Sequence, residues 1–153
     1  MAFTDCMEQQ IPRPIHKGRR KKYYSGKKKY TVKTQLIVNN KGIIIHKLRY
    51  KKGRRHDYDI YKENHPITSK DVLNVFDLGY LGVEKDFLEQ QSCIPIRKKR
   101  TIELSQEEKE YNKIHSRKKI FIEHTVCRLK KYRIMNEVFR NRLRKYNKIS
   151  DIV

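Results

Sequence analysis

No stretch of the 153 residues is apolar for long enough to cross a bilayer, and the N-terminus has no apolar segment of the kind a secretion signal needs. These absences lead us to expect a soluble, cytoplasmic protein without a membrane partner. Cysteine is scarce: Cys6, Cys93 and Cys127 are odd in number and far apart, without the close pairs that zinc sites and disulfide frameworks use. Reduced thiols are expected. Cys127 lies one turn beyond His124, yet no second Cys/His pair stands ready to complete four ligands. Acidic residues are also few, 17 Asp and Glu against 38 Lys and Arg, which leaves a formal net charge of +21. An exterior this positive makes nucleic acid the natural partner. Composition alone also admits a non-enzymatic ribosomal component or a disordered basic tail, so organisation has to decide.

With 37% apolar residues there is room for one core, so a single domain over residues 1–153 is expected. Ala2-Phe3-Thr4 reads as a short strand ending at Asp5. The segment from Gln10 to Lys29 carries Pro12, Pro14, Gly18 and Gly26 among many cations and reads as a basic loop. From Tyr30 to Val38 the chain alternates, with Val32, Thr34, Leu36 and Val38 on one face and Thr31, Lys33, Gln35 and Ile37 on the other, which predicts a strand. Asn39-Asn40-Lys41-Gly42 supplies a turn and Ile43 to Leu48 a second β-branched run, so an antiparallel hairpin is expected. A short helix should follow around His56 to Asn64.

Val72-Leu73-Asn74-Val75-Phe76, closed by Asp77, reads as a buried central strand, and Ile94-Pro95-Ile96 as an edge strand. Ser105 followed by Glu108 is a capping-box signature that opens a long helix from about Gln106 to the early 130s. Ile114, Phe121, Ile122, Thr125, Val126 and Leu129 would form its apolar stripe. This mixed α/β order is not what a disordered tail produces.

Three acids sit where such elements can hold them still: Asp5, Asp77 and Glu123. If the two strands are neighbours and the helix packs across them, the carboxylates converge and need cations to relieve their repulsion. Oxygen ligands select hard ions such as Mg²⁺ or Mn²⁺. Two of these, about 3.5–4 Å apart, would support in-line phosphoryl displacement. Each acid taken singly reads rather as a surface residue or an ion-pair partner, and only the trio together points to such chemistry. Lys119 and Lys130 lie on the helix side that carries Glu123, where they would either form i,i+4 pairs or grip phosphates. The block Arg19-Arg20-Lys21-Lys22-Tyr23-Tyr24-Ser25-Gly26-Lys27-Lys28-Lys29 suits a backbone track for DNA with base stacking, or else a solvated loop. His56-Asp57 is open between N-terminal capping and a supporting role at the site.

Taken together, these segments resemble the DDE transposases of the insertion sequence five group, whose catalytic domain is shared by Harbinger-type nucleases. Asp5-Cys6-Met7-Glu8-Gln9-Gln10-Ile11-Pro12-Arg13-Pro14 is similar to the first-aspartate segment of that family, and Tyr23-Tyr24-Ser25-Gly26-Lys27-Lys28-Lys29 to its basic block. His56-Asp57, Asp77-Leu78-Gly79-Tyr80, Glu107-Glu108-Lys109-Glu110-Tyr111-Asn112 and Glu123-His124 with Arg128-Leu129-Lys130 resemble its later motifs. The resemblance implies a ribonuclease-H-like α/β fold, with a mixed sheet, a β-hairpin and a long C-terminal helix carrying the third acid. It further implies Mg²⁺- or Mn²⁺-dependent cleavage of transposon ends and strand transfer, with two ions on Asp5, Asp77 and Glu123. DNA would lie on Lys27, Lys28, Lys29, Lys119 and Lys130, supported by His56 and Asp57, in a bacterial, nucleoid-associated enzyme. The family's last signature is Tyr, two residues, Arg, three residues, Glu, six residues, Lys; here Ser116, Lys119, Glu123 and Lys130 stand at those positions. Relatives carry a helix-turn-helix region ahead of the first catalytic strand. End recognition is therefore expected from a homo-oligomer or from the product of a partner reading frame. The alternative is a truncated remnant that binds DNA without cutting it.

Overall fold

The computed structural model describes residues 1–64 and 69–153. In chain order it contains β1 (Ala2–Gln10), α1 (Lys17–Tyr23), β2 (Thr31–Asn39), β3 (Ile44–Lys47), β4 (Lys51–Lys52), α2 (Asp57–Glu63) and β5 (Asn74–Val75). A 3₁₀ turn at Leu78–Tyr80 leads to α3 (Val83–Asp86), β6 (Ser92–Cys93), α4 (Gln106–Lys130), α5 (Arg133–Asn136) and α6 (Tyr146–Ile152). The strands form one six-stranded mixed sheet in the order β3-β2-β1-β5-β6, with β4 also paired to β2.

The alternation over β2 is realised, and residues 31–38 are buried on both faces of the sheet. On one face Phe3, Val38, Val75 and Cys93 pack against Ile122 of α4, and Met7 and Leu36 against Met135 of α5. On the other, Tyr61 of α2 joins Phe76, Tyr80, Val83 and Ile94 in an aromatic cluster. Helix α4 begins where expected. The Ser105 hydroxyl accepts from the Glu108 N–H at 3.1 Å, and the Glu108 carboxylate accepts from the Ser105 N–H at 2.7 Å. Glu107 and Glu108 in its first turn and Arg128 and Lys130 in its last complement the helix dipole.

Several expectations are corrected. Strand β1 does not stop at Asp5. It runs on to Gln10 because β2 offers it antiparallel partners from Asn39 back to Thr31. The basic stretch is not a loop throughout: past Pro12 and Pro14, residues Lys17–Tyr23 wind into α1, with Arg20, Lys21 and Lys22 at the end where cations favour a helix. The edge strand is β6, just ahead of Ile94-Pro95-Ile96, because Pro95 has no N–H for a ladder. Ile114 and Phe121 lie on the flank of α4, 45% and 39% exposed, and His115 takes the buried position beside Ile122 and Thr125.

The β2–β3 turn is tied to α4 through one carbonyl. Gly42 O accepts from Arg128 Nη2 at 2.7 Å and from the Thr125 hydroxyl at 3.1 Å. Gly42 itself has φ +73°, a left-handed conformation that a Cβ disfavours, and that Cβ would lie 2.7 Å from Arg128 Nη2. We expect Gly42→Ala to lower unfolding stability by about 1–2 kcal/mol, read as an earlier midpoint in urea with an unchanged slope.

Candidate functional site

Strands β1 and β5 run parallel, with Ala2 opposite Asn74 and Phe3 opposite Val75. The same register continued by two residues sets Asp5 level with Asp77. The β5 ladder has ended there while β1 continues against β2 alone, so the two acids meet at the carboxyl end of β5, the crevice position of an open α/β sheet. Open α/β sheets bind ligands at such places. Side chains alternate along β1, so Asp5 shares the α4-facing side with Phe3 and Met7. Asp77 is held by the turn that follows it, accepting from the Leu78 N–H at 2.7 Å, and Asp5 accepts from the Cys6 N–H at 2.8 Å.

Lys119 of α4 reaches this pair, its ammonium 3.1 Å from Asp77 Oδ2, with a side chain only 13% exposed. Burial pushes the Asp5 carboxyl above its usual range. The Lys119 charge and the Cys6 N–H oppose that shift, and Asp77 and Asp57 add to it. For Asp77 burial acts in the same sense but is outweighed by Lys119, the Leu78 N–H and His115, so its carboxyl is held below the usual range. Two level carboxylates, each with one oxygen fixed by a backbone N–H and a cation already drawn in, have the chemistry of a site for a hard divalent ion.

Glu123 is not part of this cluster. It lies exposed one turn beyond Lys119, and no ion pair among the described residues involves it. Among those residues no group of three or more His, Cys, Asp or Glu is disposed to hold a metal ion. Lys119 itself pairs with Asp77 rather than standing free beside Glu123, and Lys130 is exposed at the end of α4.

His56 caps α2 without a side-chain bond, whereas Asp57, the first residue of α2, accepts from Lys33 Nζ at 2.8 Å. That Lys33 ammonium also donates to Arg55 O at 2.9 Å and lies 3.6 Å from Glu8. Beside it, Gln35 donates to the Tyr80 hydroxyl at 3.0 Å, and Cys6 Sγ lies 3.4 Å from the same oxygen. Burial raises the Cys6 thiol far above its ordinary range, and the Asp57 charge adds to that shift. Sequence reasoning missed Lys33, Gln35 and Tyr80 as the polar layer behind the acids. The available signal was two polar residues, Lys33 and Gln35, alternating on one face of a predicted strand. His115 was missed too. It is 2% exposed, its Nε2 has no hydrogen-bond partner among the described residues, and burial lowers its imidazolium pKa despite bonds to the Phe76 and Cys93 backbones.

Lys27, Lys28 and Lys29 lie on an exposed loop closed by the Tyr24–Tyr30 bridge and by the Ser25 N–H donating to Lys29 O at 3.0 Å. Gly26 and Lys28 take positive φ, +82° and +55°, the left-handed conformation of a tight turn. Beside it a cavity of about 480 Å³ is lined by Arg20, Lys21, Arg54, Tyr24 and Tyr30, among others, and by no carboxylate. No helix among the described residues is long and apolar enough to cross a membrane.

No solved structure matches the chain. At 36% identity the chain is similar to a probable transposase for insertion sequence element IS702 from Microchaete diplosiphon, over the whole of this chain and 54% of that protein. The chain thus spans about half the length of this relative. The family model described as DDE superfamily endonuclease matches residues 4–153, both aspartates of the crevice included, and the chain belongs to that family.

Proposed function

We propose that this chain is the catalytic domain of a DNA transposase of the insertion sequence five group, folded like ribonuclease H. It would cleave element ends and join them to target DNA. The observation that carries the reading is the Asp5–Asp77 pair, one acid on β1 and the other just past the end of the parallel β5, with the Lys119 ammonium 3.1 Å from Asp77. Asp5 and Asp77 would hold Mg²⁺ or Mn²⁺; Glu123, exposed on α4 outside this pair, is the third ligand that the family resemblance implies. When bound, two such ions supply activation of the attacking oxygen and stabilisation of the leaving one. In hydrolysis a water oxygen bonds to phosphorus as the bond to the 3′ oxygen breaks, and that oxygen leaves with the electron pair and takes up a proton. In joining, the freed 3′-hydroxyl loses its proton and bonds to a target phosphorus as the bond to the target strand's 3′ oxygen breaks, and that oxygen leaves with the electron pair and takes up a proton.

The residues around the acids would do the positioning. The Leu78 and Cys6 N–H groups fix one oxygen of each aspartate, and Lys33 with Asp57 stiffens the far side of the sheet. The loop of Lys27, Lys28 and Lys29 and the basic cavity beside it would track the DNA backbone, with Tyr24 available for stacking. A second reading, DNA binding without cutting, is favoured by one observation, the exposed Glu123 outside the acid cluster.

The test is incubation of the purified chain with Mg²⁺ and DNA carrying the element ends. Metal-dependent nicks at the ends support the proposal. Retention of the DNA without nicks supports the second reading. For the DNA track, we expect the logarithm of affinity to fall linearly with the logarithm of salt concentration. Changing Lys27, Lys28 and Lys29 to Gln should flatten that slope by up to about 3, roughly one for each phosphate no longer neutralised. A slope unchanged in the triple variant would move the track elsewhere on the surface.

A further inference from the structure

Resting on the reading of Asp5 and Asp77 as metal ligands, we propose that Lys119 is an exchangeable counter-ion. It competes with the divalent cation for Asp77 and is released toward a DNA phosphate when that cation binds.

The two most enclosed ammonium groups among the described ion pairs differ in how they are held. Lys33, with a side chain 11% exposed, is surrounded: Arg55 O at 2.9 Å, Asp57 Oδ1 at 2.8 Å and Glu8 Oε1 at 3.6 Å take up its charge and its protons. An ammonium has three donors, and Lys33 is a structural cation with two of them hydrogen-bonded and a second carboxylate close by. Lys119 is nearly as enclosed, 13% exposed, yet it meets one acceptor, Asp77 Oδ2 at 3.1 Å. Its other protons have no protein acceptor among the described residues. A cation held at one point on a four-carbon stem can leave without breaking a network.

The place it holds is the place a metal needs. Leu78 N–H occupies Asp77 Oδ1 and Cys6 N–H occupies Asp5 Oδ1, so the Asp77 Oδ2 that Lys119 takes is the oxygen without a backbone donor. A single positive charge here stabilises two carboxylates that would otherwise repel. This is visible in Asp5, whose pKa Lys119 lowers and Asp77 raises. A divalent ion at the pair and an ammonium beside it would repel in turn, so binding one favours departure of the other. Lys119 would then project from α4 at the mouth of the crevice, one turn before Glu123, where a phosphate oxygen is the natural new partner.

The test is titration of the purified chain with Mn²⁺ alone, the free ion followed by its paramagnetic resonance signal. Wild type, Lys119→Met, Lys119→Arg and Asp77→Asn are compared. We expect Lys119→Met to bind Mn²⁺ at least about tenfold more tightly than wild type, since one repelling charge is gone. Lys119→Arg, which keeps the charge, should stay close to wild type, and Asp77→Asn should lose the site. Without Mn²⁺, Lys119→Met should melt earlier than wild type, and it should gain more on Mn²⁺ addition. Unchanged or weaker Mn²⁺ binding by a folded Lys119→Met overturns the proposal. If that variant does not fold, Lys119→Gln takes its place, and failure of both to fold assigns Lys119 a structural role and overturns it equally. If wild type itself takes up no Mn²⁺, the metal reading of the acid pair fails first and this inference falls with it.

Discussion

Asp77→Asn is expected to lower Mg²⁺-dependent cleavage of element-end DNA by about 10³-fold or more, while leaving DNA retention and the fold in place. A carboxylate that carries a divalent ion contributes several kcal/mol of transition-state stabilisation, and a thousandfold corresponds to about 4 kcal/mol. The amide is isosteric, can still accept from the Leu78 N–H, and sits half-exposed. The loss should therefore appear in turnover and not in thermal stability, which should move by less than about 1 kcal/mol. Asp59→Asn, an exposed acid on α2, serves as the control and should cut like wild type. Cleavage by Asp77→Asn within tenfold of the parent would remove Asp77 from the chemistry.

The largest effect on stability is expected from Tyr61→Ala. This ring is fully buried and packs edge-on against Phe76, Tyr80 and Phe87, with centroids 5.1, 6.0 and 5.7 Å away. Its hydroxyl donates to Gln90 Oε1 at 2.9 Å, linking α2 to the segment that leads into β6. Truncation removes the transfer energy of the ring and leaves a cavity that three other rings cannot all close, a cost of about 3–5 kcal/mol. Set against a typical stability of about 5–15 kcal/mol, that is enough to leave part of the chain unfolded at 37 °C. Chemical unfolding followed by far-ultraviolet circular dichroism would measure it. Tyr61→Phe, which keeps the ring, should cost about 1 kcal/mol for the lost hydrogen bond.

What could be read from the sequence follows the range of the interactions concerned. The α4 start was legible because a capping box joins residues three apart, and β2 because alternation is a period-two signal. The acids Asp5 and Asp77 were legible as ends of apolar runs, yet their pairing depended on a parallel register that no local pattern announces. Lys119 shows the limit most clearly. Spacing along α4 put it beside Glu123, and the tertiary fold turned it to Asp77 instead. Helix α1 was hidden by its two upstream prolines and by Gly18, and the extent of β1 by the fact that a strand's length is set by its neighbour. His115 was passed over because a polar ring on an apolar stripe reads as a gap in it, although the ring is buried beside Ile122 and Thr125.

Strand β1 lies between a neighbour that follows it closely in the chain, β2, and one that arrives only after α2, β5. During translation the β1–β2 pair can assemble early, whereas the crevice waits until Asp77 has left the ribosome and docked beside Asp5. A nascent chain that has paired β1 with β2 therefore carries Asp5 on a formed strand well before Asp77 exists to stand beside it.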